Sequence, residues 1–276
     1  MTTGSRRISP LVVAAVALAL VAAVVGCGSS SSGDTSTTAS TSAGGTTTST
    51  SPAGTSASAS TLAPIHGKYS PSINPANFVS VIDNRYWPLK PGTGYHYKGV
   101  RGTTNQTDDE IVTHRTKKIL GIPATVVRDT VSQNGNPVER TFDYYAQDKA
   151  GNVWYMGELS LEKKNGRMVK ASDSWLSGVN GGQPGIIMPG NPQPGDKYRQ
   201  EYYPPGQALD EATVLRLDGK VKVPNGSYQH VLVTSEYSPL EPQTEQKYYV
   251  PGLGEAAERV VKGHHEEFQL VSVTHH

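Results

Sequence analysis

Three Asn-Gly dipeptides, at 134–135, 165–166 and 225–226, each stand between two runs rich in β-branched and aromatic residues. A type I′ hairpin turn needs positive φ at both central residues, and Asn-Gly supplies that at low cost, so each dipeptide predicts a tight antiparallel connection. The runs they join are 125–132 with 138–147, 159–164 with 167–170, and 220–223 with 228–234. Lys220-Val221-Lys222-Val223 alternates polar and apolar side chains, the period of a half-buried strand. No long segment of this region carries the 3.6-residue helical period. One short helix is expected over 75–81, with Asn74 as cap and Pro75 at its first position. The folded part is therefore expected to be all-β and antiparallel, with long loops.

The first 62 residues cannot belong to such a sheet. Arg6 and Arg7 precede fifteen unbroken apolar residues, 11–25, too short a run for the ~20 residues of a spanning helix but suited to a signal-peptide core. Val24-Val25-Gly26-Cys27 closes it and resembles the bacterial lipobox, in which the cysteine thiol takes the lipid and becomes the mature N-terminus. Cys27 is the only cysteine of the 276 residues, which excludes a disulfide framework and a cysteine-based zinc site. Residues 1–26 thus read as a lipoprotein signal peptide and Cys27 as the lipid anchor, implying attachment to the extracytoplasmic face of a cell membrane. From 28 to 62, 22 of 35 residues are Ser or Thr and Asp34 is the sole charge. Such a segment has almost nothing to bury, so 27–62 is expected to be a disordered tether with a reach of roughly 30–35 Å.

Residues 63–276 hold all eight histidines and all fourteen tyrosines, and their basic and acidic side chains balance. That balance gives no electrostatic case for a nucleic-acid binder. An internal comparison predicts a duplication. Pro91-Gly92-x-x-Tyr95 answers to Pro194-Gly195-x-x-Tyr198, Asp109-Glu110 to Asp210-Glu211, Tyr144-Tyr145 to Tyr248-Tyr249, and the run after Gly151 to that after Gly254, at offsets of 101 to 104. Two repeats, about 87–170 and 193–273, can form one barrel of eight to ten strands or two curved half-barrels. Between them, the Gly/Pro-rich stretch 172–194 carries Trp175 and Ile186-Ile187-Met188. It is expected as a connecting loop that folds over the sheet or the barrel mouth, as a lid or as a plug.

Tyr144-Tyr145-Ala146-Gln147-Asp148, Gly151-Asn152-Val153-Trp154-Tyr155-x-Gly157-Glu158 and Gln183-Pro184-Gly185-Ile186-Ile187-Met188-Pro189 resemble signatures of a family of uncharacterised bacterial secreted proteins and lipoproteins. Asn84-x-Tyr86-Trp87-Pro88-Leu89-Lys90-Pro91-Gly92 is similar to it too. The resemblance spans most of 84–269. It implies one recurring extracytoplasmic domain and carries no activity and no catalytic residues with it.

The residues themselves show no Gly-x-Ser-x-Gly elbow, no phosphate-cradling loop and no Gly-x-Gly-x-x-Gly. No cofactor is expected. His264-His265-Glu266-Glu267 is a weak metal candidate that needs His275-His276 alongside. Asp148-x-x-Gly151-Asn152 reads as a turn rather than a calcium loop. Asp143 and Glu158 are a candidate carboxylate pair. Aromatic side chains are the richer signal, since Tyr and Trp suit a pocket with an apolar body and a polar tip. The candidate pocket residues are Tyr144, Tyr145, Trp154, Trp175, Ile186, Ile187, Met188, Tyr248 and Tyr249. Three readings follow: a non-catalytic lipoprotein binding an amphipathic or apolar ligand, a surface module for protein or glycan, and an extracellular hydrolase with a carboxylate site. The first is favoured.

Overall fold

A computed structural model describes residues 58–275. The signal segment, Cys27 and most of the tether lie outside the described residues. The chain is all-β. Ahead of the main strands come a helical turn, α1 (Ala59–Leu62), and three two-residue strands, β1 (Phe78–Val79), β2 (Asp83–Asn84) and β3 (Trp87–Pro88). A meander follows: β4 (Thr93–Arg101), β5 (Thr104–Ile119), β6 (Ile122–Gln133), β7 (Asn136–Asp148), β8 (Val153–Lys164) and β9 (Arg167–Lys170). The middle of the chain contributes β10 (Trp175–Leu176), β11 (Gln183–Met188), β12 (Lys197–Arg199) and β13 (Glu201–Tyr202). A second meander ends it: β14 (Glu211–Val223), β15 (Gly226–Tyr237), β16 (Thr244–Val250), β17 (Gly254–Lys262) and β18 (Glu266–His275).

All but β2 and β3, which pair as a separate two-stranded sheet, make one nearly closed antiparallel sheet, in the order β12-β14-β15-β16-β17-β18-β4-β5-β6-β7-β8-β11-β13, with β1 added on β7 and β9 and β10 on β8. The last strand pairs with the first of the meander, Leu270 opposite Tyr97. The seam is bridged by residues 197–202: β12 pairs with β14, and two residues on β13 pairs with β11. Gly185 stands directly behind this crossing, where a Cβ would lie 2.2 Å from the Gln200 carbonyl carbon. The N-terminal segment straps the seam from outside. Arg199 donates from its backbone N–H to Ala63 O at 2.8 Å and from its guanidinium to the carbonyls of Pro64 and Ile65, while Tyr69 OH donates to Pro184 O at 2.6 Å. Covering the seam in this way protects strand edges that would otherwise be open to pairing. Ala59, within the stretch whose composition reads as tether, and Ala63 just after it are buried.

The local expectations fare unevenly. Asn134-Gly135 and Asn165-Gly166 are the hairpin turns expected, with φ of 51° and 74°, and 51° and 77°. At the third site the turn lies one residue earlier, at Pro224-Asn225, because Val223 pairs with Gly226. Proline holds φ near −65°, which forbids the I′ geometry and moves the turn. The helix expected over 75–81 stops at Asn77: Asn74 caps it, accepting from Ala76 N–H at 3.0 Å, but Phe78 and Val79 are drawn into pairing with Asp148 and Gln147. The stretch 172–194 connects by turns but contains two strands, with Trp175 opposite Glu158 in β10, and β11 paired to β8. Both faces of Ile186-Ile187-Met188 are buried, so the trio shows no alternation. A turn at Leu120-Gly121 was not signalled, since Leu120 adopts φ of 48°.

Glycine 185 makes closure testable. Gly185→Ala pushes a methyl into the Gln200 backbone and is expected to cost about 1–3 kcal/mol, more than Gly135→Ala, where a Cβ meets open space and only the positive φ is strained. Urea denaturation of the two variants checks the order.

Candidate functional site

The barrel interior is filled. Tyr249, Trp87, Tyr145, Tyr155 and Trp175 form a continuous column of rings: Trp87 lies 5.7 Å from both Tyr249 and Tyr145, Tyr145 stacks on Tyr155 at 4.9 Å, and Tyr155 meets Trp175 edge-on at 5.5 Å. Of the candidate residues, Tyr145, Trp175 and Tyr249 are thus brought together, and Ile187 and Met188 belong to the same apolar cluster. Tyr144, Trp154 and Ile186 lie in a second cluster. Tyr248 belongs to the first cluster too, at its edge, with the Arg259 guanidinium 5.5 Å from its ring centroid. Trp154 donates to Asp148 Oδ2 at 2.9 Å. That carboxylate also accepts from Ala150 N–H, Asn152 N–H and Asn152 Nδ2, so it organises a turn and has no capacity left for calcium. Trp87 is the column member that is not among the candidate pocket residues; only the 84–92 motif points to it.

Residues of the 84–92, 144–148, 151–158 and 183–189 motifs meet one another. Asn84 donates to Gly151 O and Pro189 O and accepts from Tyr86 and Trp87 N–H, and Gln147 Oε1 accepts from Asp83 and Asn84 N–H. Their work is architectural. They lock the entry segment onto one end of the barrel and aim Trp87 inward.

Carboxyl groups surround the column. Asp143 and Glu158, the expected pair, are cross-strand neighbours, and Tyr155 OH joins them, donating to Asp143 Oδ1 at 2.6 Å and standing 3.2 Å from Glu158 Oε2. Burial first, then the Glu158 charge, pushes the Asp143 carboxyl well above its usual range. Asp143 is sealed from solvent, so it has no access to a substrate. Trp175 Nε1 donates to Glu201 Oε2 at 3.0 Å, and burial together with neighbouring Asp210 raises Glu201 likewise. Across the barrel, the fully buried Lys247 ammonium stands 3.4 Å from Glu245, 3.4 Å from Glu258 and 3.6 Å from Glu236. Burial alone would lower its pKa, but these carboxylates outweigh that and hold it above the ordinary lysine range. Burial lifts Glu110 to about 8 and Asp108 to about 6, and lifts Glu245 to about 8 against the opposing pull of Lys247.

The column reaches the surface at one cleft of about 220 Å³. Tyr144, Trp175 and Tyr203 give it aromatic walls, Glu158 lies at its floor, and Lys117 and Lys170 border it. Lys117 Nζ sits 4.7 Å from the Tyr144 ring centroid. The cleft exists because Gly157, at φ 138°, lets the backbone of Trp175 and Leu176 lie directly on β8; a Cβ there would be 2.6 Å from Trp175 O. A second hollow of about 380 Å³, lined by polar residues including Asn105, Gln106 and Thr107, lies at the hairpins of β4–β5 and β6–β7. The histidine pairing fails on geometry. His264 and His265 are exposed in the turn before β18 and His275 ends that strand, so about 30 Å of extended chain separates them; His276 lies outside the described residues.

The fold is a nearly closed, barrel-like antiparallel sheet whose described interior is packed with side chains. No protein-family model matches the chain, and no curated protein sequence matches it. Among solved structures, a Bacteroides fragilis protein described as exported and YmcC-like in fold is similar at 12% identity and a TM-score of 0.42, over 69% of this chain and 99% of that one. A Parabacteroides distasonis protein described as a lipoprotein is similar at 9% identity and a TM-score of 0.34, with the same coverage.

The raised interior carboxyls set the pH response. Unfolded, these groups lose their protons near pH 4; folded, Asp108 holds its proton to about 6, and Glu110 and Glu245 hold theirs to about 8. The folded state binds more protons between those values, so the stability they contribute is full below about pH 4 and is lost as pH rises through 6 to 8. The urea midpoint is expected to rise from pH 8.5 to pH 5.5, and a fall would contradict this protonation pattern. Lys247→Gln leaves three carboxyls without their cation and is expected to cost about 3–5 kcal/mol at pH 8, and less at pH 5.5.

Proposed function

We propose that the chain is an envelope lipoprotein, lipidated on Cys27 and held on the extracytoplasmic face of the membrane, whose β-domain binds an amphipathic ligand without transforming it. The observation that carries this reading is the cleft, where three aromatic walls meet two lysines at the surface end of a packed ring column. Aromatic faces cover the apolar part of a ligand, and Lys117 and Lys170 offer charge to a polar or anionic end. Among the described residues, the ring column occupies the barrel interior, where a long acyl chain would otherwise lie. At about 220 Å³ the cleft is also smaller than the ~300–1,000 Å³ of sites that engulf a drug-sized molecule. It suits one end of a ligand.

We also read the barrel as a duplication. Equivalent turns support this: Gly92 N–H donates to Val112 O and Gly195 N–H to Val214 O, both at 2.8 Å. Tyr145 and Tyr249, from the two Tyr-Tyr pairs, flank Trp87 at equal distances. The halves differ where chemistry differs, since Asp143 opposes Glu158 in one while Lys247 opposes Glu258 in the other.

Native mass spectrometry of the full chain, purified gently from the bacterial envelope, tests the ligand. A reproducible added mass that extracts into organic solvent is expected, and Tyr144→Ala should lower its occupancy about ten-fold with the fold intact. A bare protein mass, unchanged after incubation with total envelope lipid, would overturn the reading.

A further inference from the structure

The β5–β6 hairpin runs past its neighbours. The register of β4 on β5 ends at Gly94 opposite Ile111, and that of β7 on β6 ends at Tyr145 opposite Thr125, so residues 116–124 project beyond both. One face of the projection is anchored, with Ile119, Ile122 and Ala124 buried in the second apolar cluster. Its tip is Leu120, which is exposed and held at φ 48°, a conformation that favours Asn or Gly and penalises a leucine. The Leu120 side chain lies over Gly178, whose Cβ, if present, would be 2.6 Å from Leu120 Cδ2; the next residue, Val179, is about half exposed at 48%. Two exposed apolar side chains from separate segments therefore share one tip. Cations lie on the same side: Lys118 and, farther back, Arg115 are exposed on β5, and Lys117 and Lys170 border the cleft that Val179 also lines. The acids of the same segments, Glu158 and Asp173, are buried.

The geometry points to this end of the barrel as a docking surface for an anionic phospholipid bilayer, with Leu120 and Val179 entering the interface and the four cations facing the headgroups. Apolar side chains at a tip backed by Lys and Arg fit the apolar-to-charged gradient of such an interface, and each cation near it adds attraction that salt screens. A strained, exposed leucine at the turn is accounted for by a partner that buries it. The inference rests on surface residues and not on occupancy of the cleft, although docking would bring the cleft mouth to the membrane.

Antiparallel alternation places Val261, near the end of β17, at the opposite end of the barrel, which supplies a control. The full chain is reconstituted into vesicles of phosphatidylglycerol with phosphatidylcholine, or of phosphatidylcholine alone. It carries an NBD label on Leu120→Cys, Val179→Cys or Val261→Cys, and signal from Cys27 is subtracted using the unsubstituted chain. Doxyl-labelled lipid should quench positions 120 and 179 about two-fold or more over position 261 in anionic vesicles. The excess should shrink in high salt, in neutral vesicles and in the Lys117→Gln/Lys118→Gln background. Equal quenching at all three positions, or none at any, would overturn the inference. Leu120→Asn, read by a label at position 179, separates docking from folding: Asn suits the turn, so stability should hold or rise while quenching falls. Unchanged quenching in that variant also counts against the proposal. Ligand occupancy is read separately by mass, so either idea can fail alone.

Discussion

The sheet closes through six residues, 197–202, whose first half pairs with β14 and whose second half pairs with β11. Closure satisfies the backbone groups of both edges at once, and it requires an approach so tight that only glycine fits at position 185. The strap from Ser58 to Tyr69 then covers the crossing, with the Arg199 guanidinium tying it to β12. This arrangement buries the interior side chains, and their character follows from that. Arg199 also stands 3.1 Å from Glu211 on β14, so one guanidinium holds the strap and the neighbouring strand together.

A buried interior lined with carboxyl groups cannot keep all of them ionised. Lys247 neutralises part of the charge, and protons held by raised carboxyls neutralise more, with hydroxyl and indole groups of Tyr155, Tyr249 and Trp175 donating to Asp143, Glu236 and Glu201. Such a network is costly compared with an apolar core, and its members share one another's fields, so it specifies a single arrangement of the ring column. The column in turn ends at the cleft. Packing from the seam to the Trp175 wall therefore forms one continuous structure, and the cleft proposed to take a ligand lies at its exposed end.

Much of the architecture was legible in the residues. Asn134-Gly135 and Asn165-Gly166 announce their hairpins because positive φ is encoded locally. Pro224 shifted the third turn for an equally local reason, the fixed φ of proline. Other features have no local signature. Leu120 at positive φ defies propensity, and the strap is built from the same Ser, Thr and Ala as the stretch before it. Strand β11 hid among glycines and prolines, since a strand buried on both faces loses its alternation. Of the site, Tyr144 and Trp175 were legible as amphipathic aromatics, and Asp143 with Glu158 as a pair. Lys117, Lys170 and Tyr203 were not, because only the folded hairpin and the loop after β13 bring them to the same wall. The interior acids did leave a trace: Asp108 with Glu110, and Glu245 with Lys247, are spaced by two within strands, the spacing of residues on one face.

The central claim is that the cleft between Tyr144, Trp175 and Tyr203 holds one end of an amphipathic molecule. A crystal structure of the full chain purified from its own envelope, without denaturation or delipidation, tests it most directly. The account predicts elongated density against those rings, with its polar end within hydrogen-bond distance of the ammonium of Lys117 or Lys170, about 3 Å. A cleft holding only water, in a preparation whose mass shows a bound ligand, would contradict it and place the site elsewhere on the barrel.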